Sequence, residues 1–112
     1  MGQWCIVQTP EFGAWFASLG RQLQEDIYRA ICILRELGPT LGRPYVDTIK
    51  GSRFGNMKEL RVQSHGRPVR SLFAFDARRT GVLLIGGDKR GNPRFYETMV
   101  AKADELFVRY RG

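Results

Sequence analysis

The chain has 112 residues, of which 43% are hydrophobic and 12% aromatic. That length suffices for one packed core but not for two, so we expect a single domain over residues 1–112. The composition excludes a disordered chain, and no run approaches the roughly 20 apolar residues that a membrane span needs. The start, Met1-Gly2-Gln3-Trp4, lacks the basic region of a signal peptide, which predicts a cytoplasmic protein.

Few residues of the chain can bind a soft metal ion, because it holds only two cysteines and one histidine: Cys5, Cys32 and His65. A zinc site needs about four such ligands, so no metal site is expected. We expect the thiols to be buried as small hydrophobes rather than joined in a disulfide. No phosphate-binding loop of the GxxxxGK[ST] type occurs, and no cofactor is expected. This inventory excludes metalloenzymes, kinases and Ser-His-Asp hydrolases.

The net charge of +7 is concentrated in one part of the chain. Residues 50–94 hold eleven basic and three acidic side chains, whereas the segments on either side are close to neutral. A fold that gathers this excess on one face makes a site for a polyanion such as RNA. The alternative is a basic surface that only keeps the protein soluble, although solubility does not require such segregation.

The first half of the chain predicts a strand followed by helix. Gln3 to Gln8 is a short β-type run, after which Thr9 suits an N-cap and Pro10 a first helical position. Apolar residues then recur every three or four positions until Gly38-Pro39 ends the pattern. We therefore expect a helical hairpin, or one long bent helix, over residues 10–37.

The second half predicts a loop, three strands and a helix. Residues 38–56 are rich in glycine and proline and form the loop, and strands are expected at 57–63, 68–76 and 81–86. Their short links predict an antiparallel sheet. Asn92 and Pro93 suit the start of a final helix. Its expected buried face consists of Phe95, Met99, Ala103, Leu106 and Tyr110. The order is β-α-α-β-β-β-α, an α+β fold.

Three segments, taken in order, resemble the RelE/HigB toxin superfamily: Glu59 to Val62 (ELRV), Gly66 to Phe75 (GRPVRSLFAF) and Leu83 to Arg90 (LLIGGDKR). The similarity is to the HigB-like, phage-derived branch and covers nearly the whole length. It implies a RelE-like antiparallel sheet packed against an N-terminal helical hairpin and a C-terminal helix. It also implies the toxin of a type II toxin-antitoxin system, a ribosome-associated mRNA interferase neutralised by a cognate antitoxin, expected to be a helix-turn-helix protein.

The resemblance also implies roles for four residues. Arg70 matches a strand arginine that contacts the scissile phosphate, and Arg61 ends the first strand of the sheet's active edge. Arg90 matches an arginine that stabilises charge or protonates the leaving group. Tyr96 matches an aromatic residue that stacks on a base or assists proton transfer. Glu59 stands where some members carry a lysine, and histidines of other members are absent, so the resemblance assigns no general base.

The residue types suit RNA cleavage without a metal ion. RNA carries its own nucleophile, the 2′-hydroxyl, and arginine can hold and neutralise the phosphate that it attacks. A Tyr or Lys whose pKa is lowered by neighbouring arginines is expected to move protons. RNA is expected on the open face of the sheet. Further phosphate contacts are predicted at Lys50, Arg53, Lys58, Arg67, Lys89 and Arg94.

Plainer interpretations remain for each of these residues. Arg61 and Arg70 also suit charges that discourage edge pairing of strands. Ordinary turn positions are the alternative for Lys89 and Arg90, and a half-buried or surface position on the helix is the alternative for Tyr96. We interpret His65 as a solvated turn residue, and Arg78 and Arg79 as surface residues at the opposite end of the hairpin. For the protein as a whole, the alternatives are a non-catalytic nucleic-acid-binding module and a basic surface that meets an acidic partner.

Overall fold

A computed structural model describes residues 3–111. The strands are β1 (Ile6–Gln8), β2 (Val46–Thr48), β3 (Lys58–Ser64), β4 (Arg67–Phe75) and β5 (Gly81–Asp88). The helices are α1 (Pro10–Ala17), α2 (Arg21–Leu37) and α3 (Phe95–Arg111), and a 3-10 turn at Gly38–Thr40 follows α2. The predicted α+β fold, with two consecutive N-terminal helices and a C-terminal helix, is confirmed.

The sheet has the strand order β1-β5-β4-β3-β2. Pairs among β2, β3, β4 and β5 are antiparallel, but β1 pairs with β5 in parallel. The antiparallel order that the short links predict for the last three strands is confirmed, whereas β1, whose pairing the links do not address, joins β5 in parallel. Strand β2 lies within residues 38–56, where only a loop was predicted. The sequence does not indicate this strand, because three residues are too few to show an alternating pattern.

Helices cover both faces of the sheet. On one face α1 and α2 pack over strand residues such as Leu60 and Phe73. On the other face α3 packs over Leu72 and Leu84 through residues that include Leu106. The expectation of an open face for RNA is therefore corrected: on the α3 side the sheet is accessible only in part, at a cleft beside β3 and the start of β4.

The helix starts are fixed by side chains that the sequence indicates. Thr9 caps α1, because its Oγ1 accepts a hydrogen bond from the Phe12 N–H at 3.0 Å. The same hydroxyl donates to the Leu84 carbonyl at 2.7 Å, which ties α1 to β5. Asn92 Oδ1 accepts from the Arg94 N–H at 3.2 Å, and α3 begins just after this turn.

The burial of the cysteines and of Tyr110 differs from what the sequence predicts. Cys5 is exposed and Cys32 partly buried, so the prediction of two buried thiols is wrong, although neither forms a disulfide. Tyr110, expected on the buried face of α3, remains 43% exposed. Within residues 3–111 no helix combines the length and the apolar character that crossing a membrane requires.

Gly86 is required by the close approach of α1 to β5. A Cβ atom at this position would lie 2.2 to 2.6 Å from three ring atoms of Trp15. We expect Gly86→Ala to lower the free energy of unfolding by about 1–3 kcal/mol, measured by urea denaturation, because the ring must move. Gly42→Ala is the control, since nothing lies within 4 Å of its added Cβ. Equal stability of both variants would contradict this packing.

A charge pair joins the first and last helices. Arg109 donates two hydrogen bonds to the Glu11 carboxylate, at 2.7 and 2.5 Å. Together with a backbone N–H, these bonds lower the pKa of Glu11 from 4.5 to about 2. A carboxyl whose pKa is lower in the folded state stabilises the fold above its unfolded pKa, and this contribution is lost as the pH falls.

We therefore expect Glu11→Gln to make stability less dependent on pH between about 4.5 and 2. The variant loses the carboxyl that must otherwise take up a proton in this range. The measurement is the free energy of unfolding in urea at several pH values between these limits. If the free energy of unfolding of the variant depended on pH as steeply as that of the parent chain, the pair between Glu11 and Arg109 would not stabilise the fold in solution.

Candidate functional site

The strand register brings Arg61 and Arg70 together. Their Cα atoms are direct partners across β3 and β4, and Arg70 is in turn the partner of Gly87 on β5. Directly opposite residues in a sheet project from the same face, here the α3 side. Neither β3 nor β4 is an edge strand, so the interpretation of these arginines as edge-blocking charges is wrong.

Arg61 and Arg70 line a cleft of about 350 Å³. The other residues of this arginine cleft are Pro44, Tyr45 and Gln63. Arg61 is partly exposed, and among residues 3–111 its side chain forms no ion pair. A guanidinium without a carboxylate partner is suited to hold a phosphate oxygen.

Arg70 is held mainly inside the protein, because it is only 4% exposed. Its Nη1 donates to the Val69 carbonyl at 3.1 Å. Its Nε lies 3.5 Å from Glu59 Oε1 but makes no well-formed hydrogen bond. The side chain also lies close to the Tyr96 hydroxyl and lines the cleft.

Glu59 completes the site, and the sequence reasoning did not select it. This carboxylate is 6% exposed. Its Oε1 accepts a hydrogen bond from the Tyr96 hydroxyl at 2.7 Å and pairs with Arg70. The sequence could have indicated Glu59, because alternation places it on the same side of β3 as Arg61. A buried carboxylate there requires a charged or hydrogen-bonding partner nearby.

Tyr96 lies on the first turn of α3, against Glu59. Burial and the hydrogen bond to Glu59 raise the pKa of Tyr96, although the nearby Arg70 opposes this effect. The prediction of a pKa lowered by arginines is therefore wrong for Tyr96, because the nearest charge is a carboxylate. Its hydroxyl stays protonated at neutral pH, and Lys89 Nζ lies 5.4 Å from the centre of its ring.

Arg90 lies in the turn that follows β5. Its backbone N–H donates to Asp88 Oδ1 at 2.9 Å, and the N–H of Lys89 donates to the Pro68 carbonyl at 3.0 Å. This turn is thus fastened to the start of β4, at the end of the sheet that carries the arginine cleft. The side chain of Arg90 is exposed.

Three of the predicted phosphate contacts either lie away from the arginine cleft or are already paired with a carboxylate. Lys58 pairs with Phe73, a core residue of the α1–α2 side, so Lys58 lies on the face opposite the arginine cleft. Arg67 donates to Asp88 at 2.9 Å, and Arg94 forms an ion pair with Glu97. Although partial burial opposes ionisation, the Arg67 hydrogen bond helps to hold the pKa of Asp88 below its usual value.

Lys50 and Arg53 lie along α3 instead. Together with Tyr96 they line a groove of about 680 Å³, the α3 groove. Asp104 fixes the loop that carries them, because its carboxylate accepts hydrogen bonds from the Ser52 hydroxyl at 2.5 Å and the Arg53 N–H at 2.9 Å. Within residues 3–111, no three His, Cys, Asp or Glu side chains are grouped to hold a metal ion.

Comparison with known proteins gives consistent results. Residues 14–108 match the family described as "Phage derived protein Gp49-like (DUF891)". Two proteins of Mycobacterium tuberculosis H37Rv are similar: "Putative toxin HigB2" is 46% identical over 99 residues and "Putative toxin HigB3" 45% identical over 101 residues. These matches cover 87% and 89% of this chain, but 49% of HigB2 and 87% of HigB3. The chain thus spans about half the length of HigB2.

The fold is similar to a chain in the crystal structure of the archaeal RelE-RelB complex from Pyrococcus horikoshii. The TM-score is 0.56 at 15% sequence identity, over 80% of this chain and 97% of that chain. At this identity the likeness shows a shared fold only.

Proposed function

The chain belongs to the phage-derived Gp49-like family, within the RelE/HigB-like toxins, and we propose that it is an mRNA-cleaving toxin that acts at the ribosome. A cognate antitoxin, expected to be a helix-turn-helix protein, would neutralise it. The observation that supports this activity best is the placement of Arg61 and Arg70 directly opposite each other in one cleft, with Glu59 and Tyr96 beside them.

In the proposed reaction the 2′-oxygen of the RNA attacks the adjacent phosphorus. The new bond forms as the bond from phosphorus to the 5′-oxygen of the next nucleotide breaks, which leaves a 2′,3′-cyclic phosphate. Arg61 and Arg70 hold the phosphate in line and offset its added negative charge. Arg90 adds positive charge from the turn beside the cleft.

Two proton transfers accompany this reaction. The Tyr96 oxygen accepts the proton of the 2′-hydroxyl while the Tyr96 hydroxyl passes its own proton to Glu59 Oε1, 2.7 Å away. Tyr96 therefore never has to ionise, in keeping with its raised pKa. The departing 5′-oxygen takes a proton from the ammonium of Lys89, next to the Tyr96 ring.

One observation favours a second candidate, a non-catalytic basic module that binds nucleic acid or an acidic partner. Arg70 is 4% exposed and paired with Glu59, as expected of an arginine that serves the fold. In that case Arg61, Lys50 and Arg53 would contact phosphates without any reaction.

Incubation of the protein with ribosomes and mRNA in the presence of a chelator separates these two functions. We expect the parent chain to cut the mRNA, and Arg70→Ala and Arg90→Ala to lose cleavage while RNA binding is largely kept. Binding without cleavage under every condition would contradict the enzyme and favour the module. Growth arrest on expression, relieved by the neighbouring gene's product, would separately test the toxin-antitoxin pair.

A further inference from the structure

A third pocket lies where α3 ends, next to the β4–β5 hairpin. This hairpin-end pocket has a volume of about 540 Å³. Its lining includes three aromatic residues, Phe107 and Tyr110 of α3 and Phe54 of the loop between β2 and β3, and two arginines, Arg78 and Arg111. None of these residues belongs to the arginine cleft. Tyr110 is the exposed ring of the three, and an exposed aromatic ring beside cations is typical of sites for single-stranded nucleic acid.

The rings of the pocket are fixed in position. Tyr110 stacks on Phe107 with ring centres 6.5 Å apart and an angle of 6° between the planes. The Tyr110 hydroxyl also donates to Asp76 Oδ2 at 3.2 Å. Tyr110 nevertheless remains 43% exposed, so it offers a flat and oriented surface on which a base can stack.

The charge of the pocket is positive. Neither Arg78 nor Arg111 forms an ion pair within residues 3–111, and the Arg111 guanidinium lies 5.0 Å from the centre of the Phe54 ring. Asp76 is the carboxylate that lines the pocket, and it already accepts hydrogen bonds from Tyr110 and from backbone N–H groups. Both arginines therefore remain available to a phosphate.

The α3 groove runs along the helix from Tyr96, beside the proposed cleavage site, toward this pocket. Tyr96 lines the groove at one end, and Arg53, which also lines it, lies 5.8 Å from the centre of the Phe54 ring in the pocket. Tyr96 and Tyr110 are separated by about 21 Å along α3 at the rise of a helix. Each carboxylate that lines the groove accepts a hydrogen bond from another side chain of the protein; these carboxylates are Glu97, Asp104 and Glu105.

We propose that the hairpin-end pocket binds one nucleotide of a single-stranded RNA outside the cleavage site, with its base on Tyr110 and its phosphate on Arg78 and Arg111. This inference rests on the proposed function in that the same RNA strand follows the α3 groove from the arginine cleft. It extends that function, because it assigns a second contact that selects single-stranded over double-stranded RNA, in which the bases are not free to stack on protein.

The test uses a short fluorescent single-stranded RNA whose 2′-hydroxyls are methylated, so that binding is measured without cleavage. We expect Arg78→Gln/Arg111→Gln to weaken its binding about 10-fold at low salt and to reduce the slope of log affinity against log salt by about 1. Tyr110→Ala is expected to weaken binding about fivefold or more. Arg21→Gln/Arg29→Gln, which removes the same charge from exposed positions of α2, is expected to change binding less than about twofold.

The outcomes separate this inference from the proposed function. Pocket variants that bind like the α2 control would overturn the inference, even if the parent chain cleaves unmodified RNA. Weaker RNA binding by the pocket variants would support it, even if no cleavage is found and the proposed function fails. Unchanged RNA binding together with weaker antitoxin binding would overturn it in favour of a protein contact at this pocket.

Discussion

Replacement of Arg70 by alanine is expected to abolish RNA cleavage and to lower the free energy of unfolding by about 3–5 kcal/mol. Arg70 and Glu59 are 4% and 6% exposed, so the substitution leaves a buried carboxylate without its cation. The loss of one member of a buried ion pair costs far more than the pair itself contributes. The same change removes the guanidinium from the wall of the arginine cleft.

A double-mutant cycle measures how much of this loss comes from the pairing of Arg70 with Glu59. Urea denaturation of Arg70→Met, Glu59→Gln and the combined variant gives the coupling between the side chains. We expect the combined variant to be more stable than the sum of the single losses predicts, because neither side chain then remains as a buried, unpaired charge. If the losses in unfolding free energy were additive, or if Arg70→Ala were as stable as the parent chain, the buried Glu59 carboxylate would not need Arg70 as its partner.

Replacement of Arg61 by alanine is expected to slow RNA cleavage about 100- to 1000-fold, the usual effect of removing one donor that stabilises a transition state. The fold should be nearly unaffected, with a change within about 0.5 kcal/mol, because Arg61 is partly exposed and forms no ion pair within residues 3–111. Single-turnover cleavage and urea denaturation measure the two quantities.

Lys58→Ala is the matched control for Arg61→Ala. Both residues lie on β3 and carry one positive charge, but Lys58 lies on the face that α1 and α2 cover. We expect Lys58→Ala to leave the cleavage rate within about twofold of the parent chain. A similar loss in both variants would indicate that the overall charge of the protein, and not the arginine cleft, governs cleavage.

The placement of Arg61 and Arg70 could be predicted from local patterns. Because side chains alternate along β3, Arg61 projects from the face of the sheet away from Leu60 and Val62. The short turn after Ser64 then fixes which residue of β4 pairs with Arg61. The same alternation shows that Lys58 shares the side of Leu60, so its place away from the cleft was available from the sequence.

Other features depend on contacts between distant segments. The Glu59–Arg70–Tyr96 group forms only because α3 packs over β3 and β4, and no local pattern gives the position of that helix. The parallel pairing of β1 with β5 likewise joins residues at opposite ends of the chain. Helical spacing placed Tyr110 on the packed side of α3 but does not tell whether the last turn is covered.

The proposed attack by the 2′-hydroxyl is tested most directly with an RNA that carries one deoxynucleotide at the cleaved position, with chelator present. We predict that the unmodified RNA is cut to a 2′,3′-cyclic phosphate and that the deoxy substitution blocks cleavage at that position while the RNA still binds. Cleavage at the deoxynucleotide would contradict the proposal, because water rather than the ribose hydroxyl would then be the nucleophile.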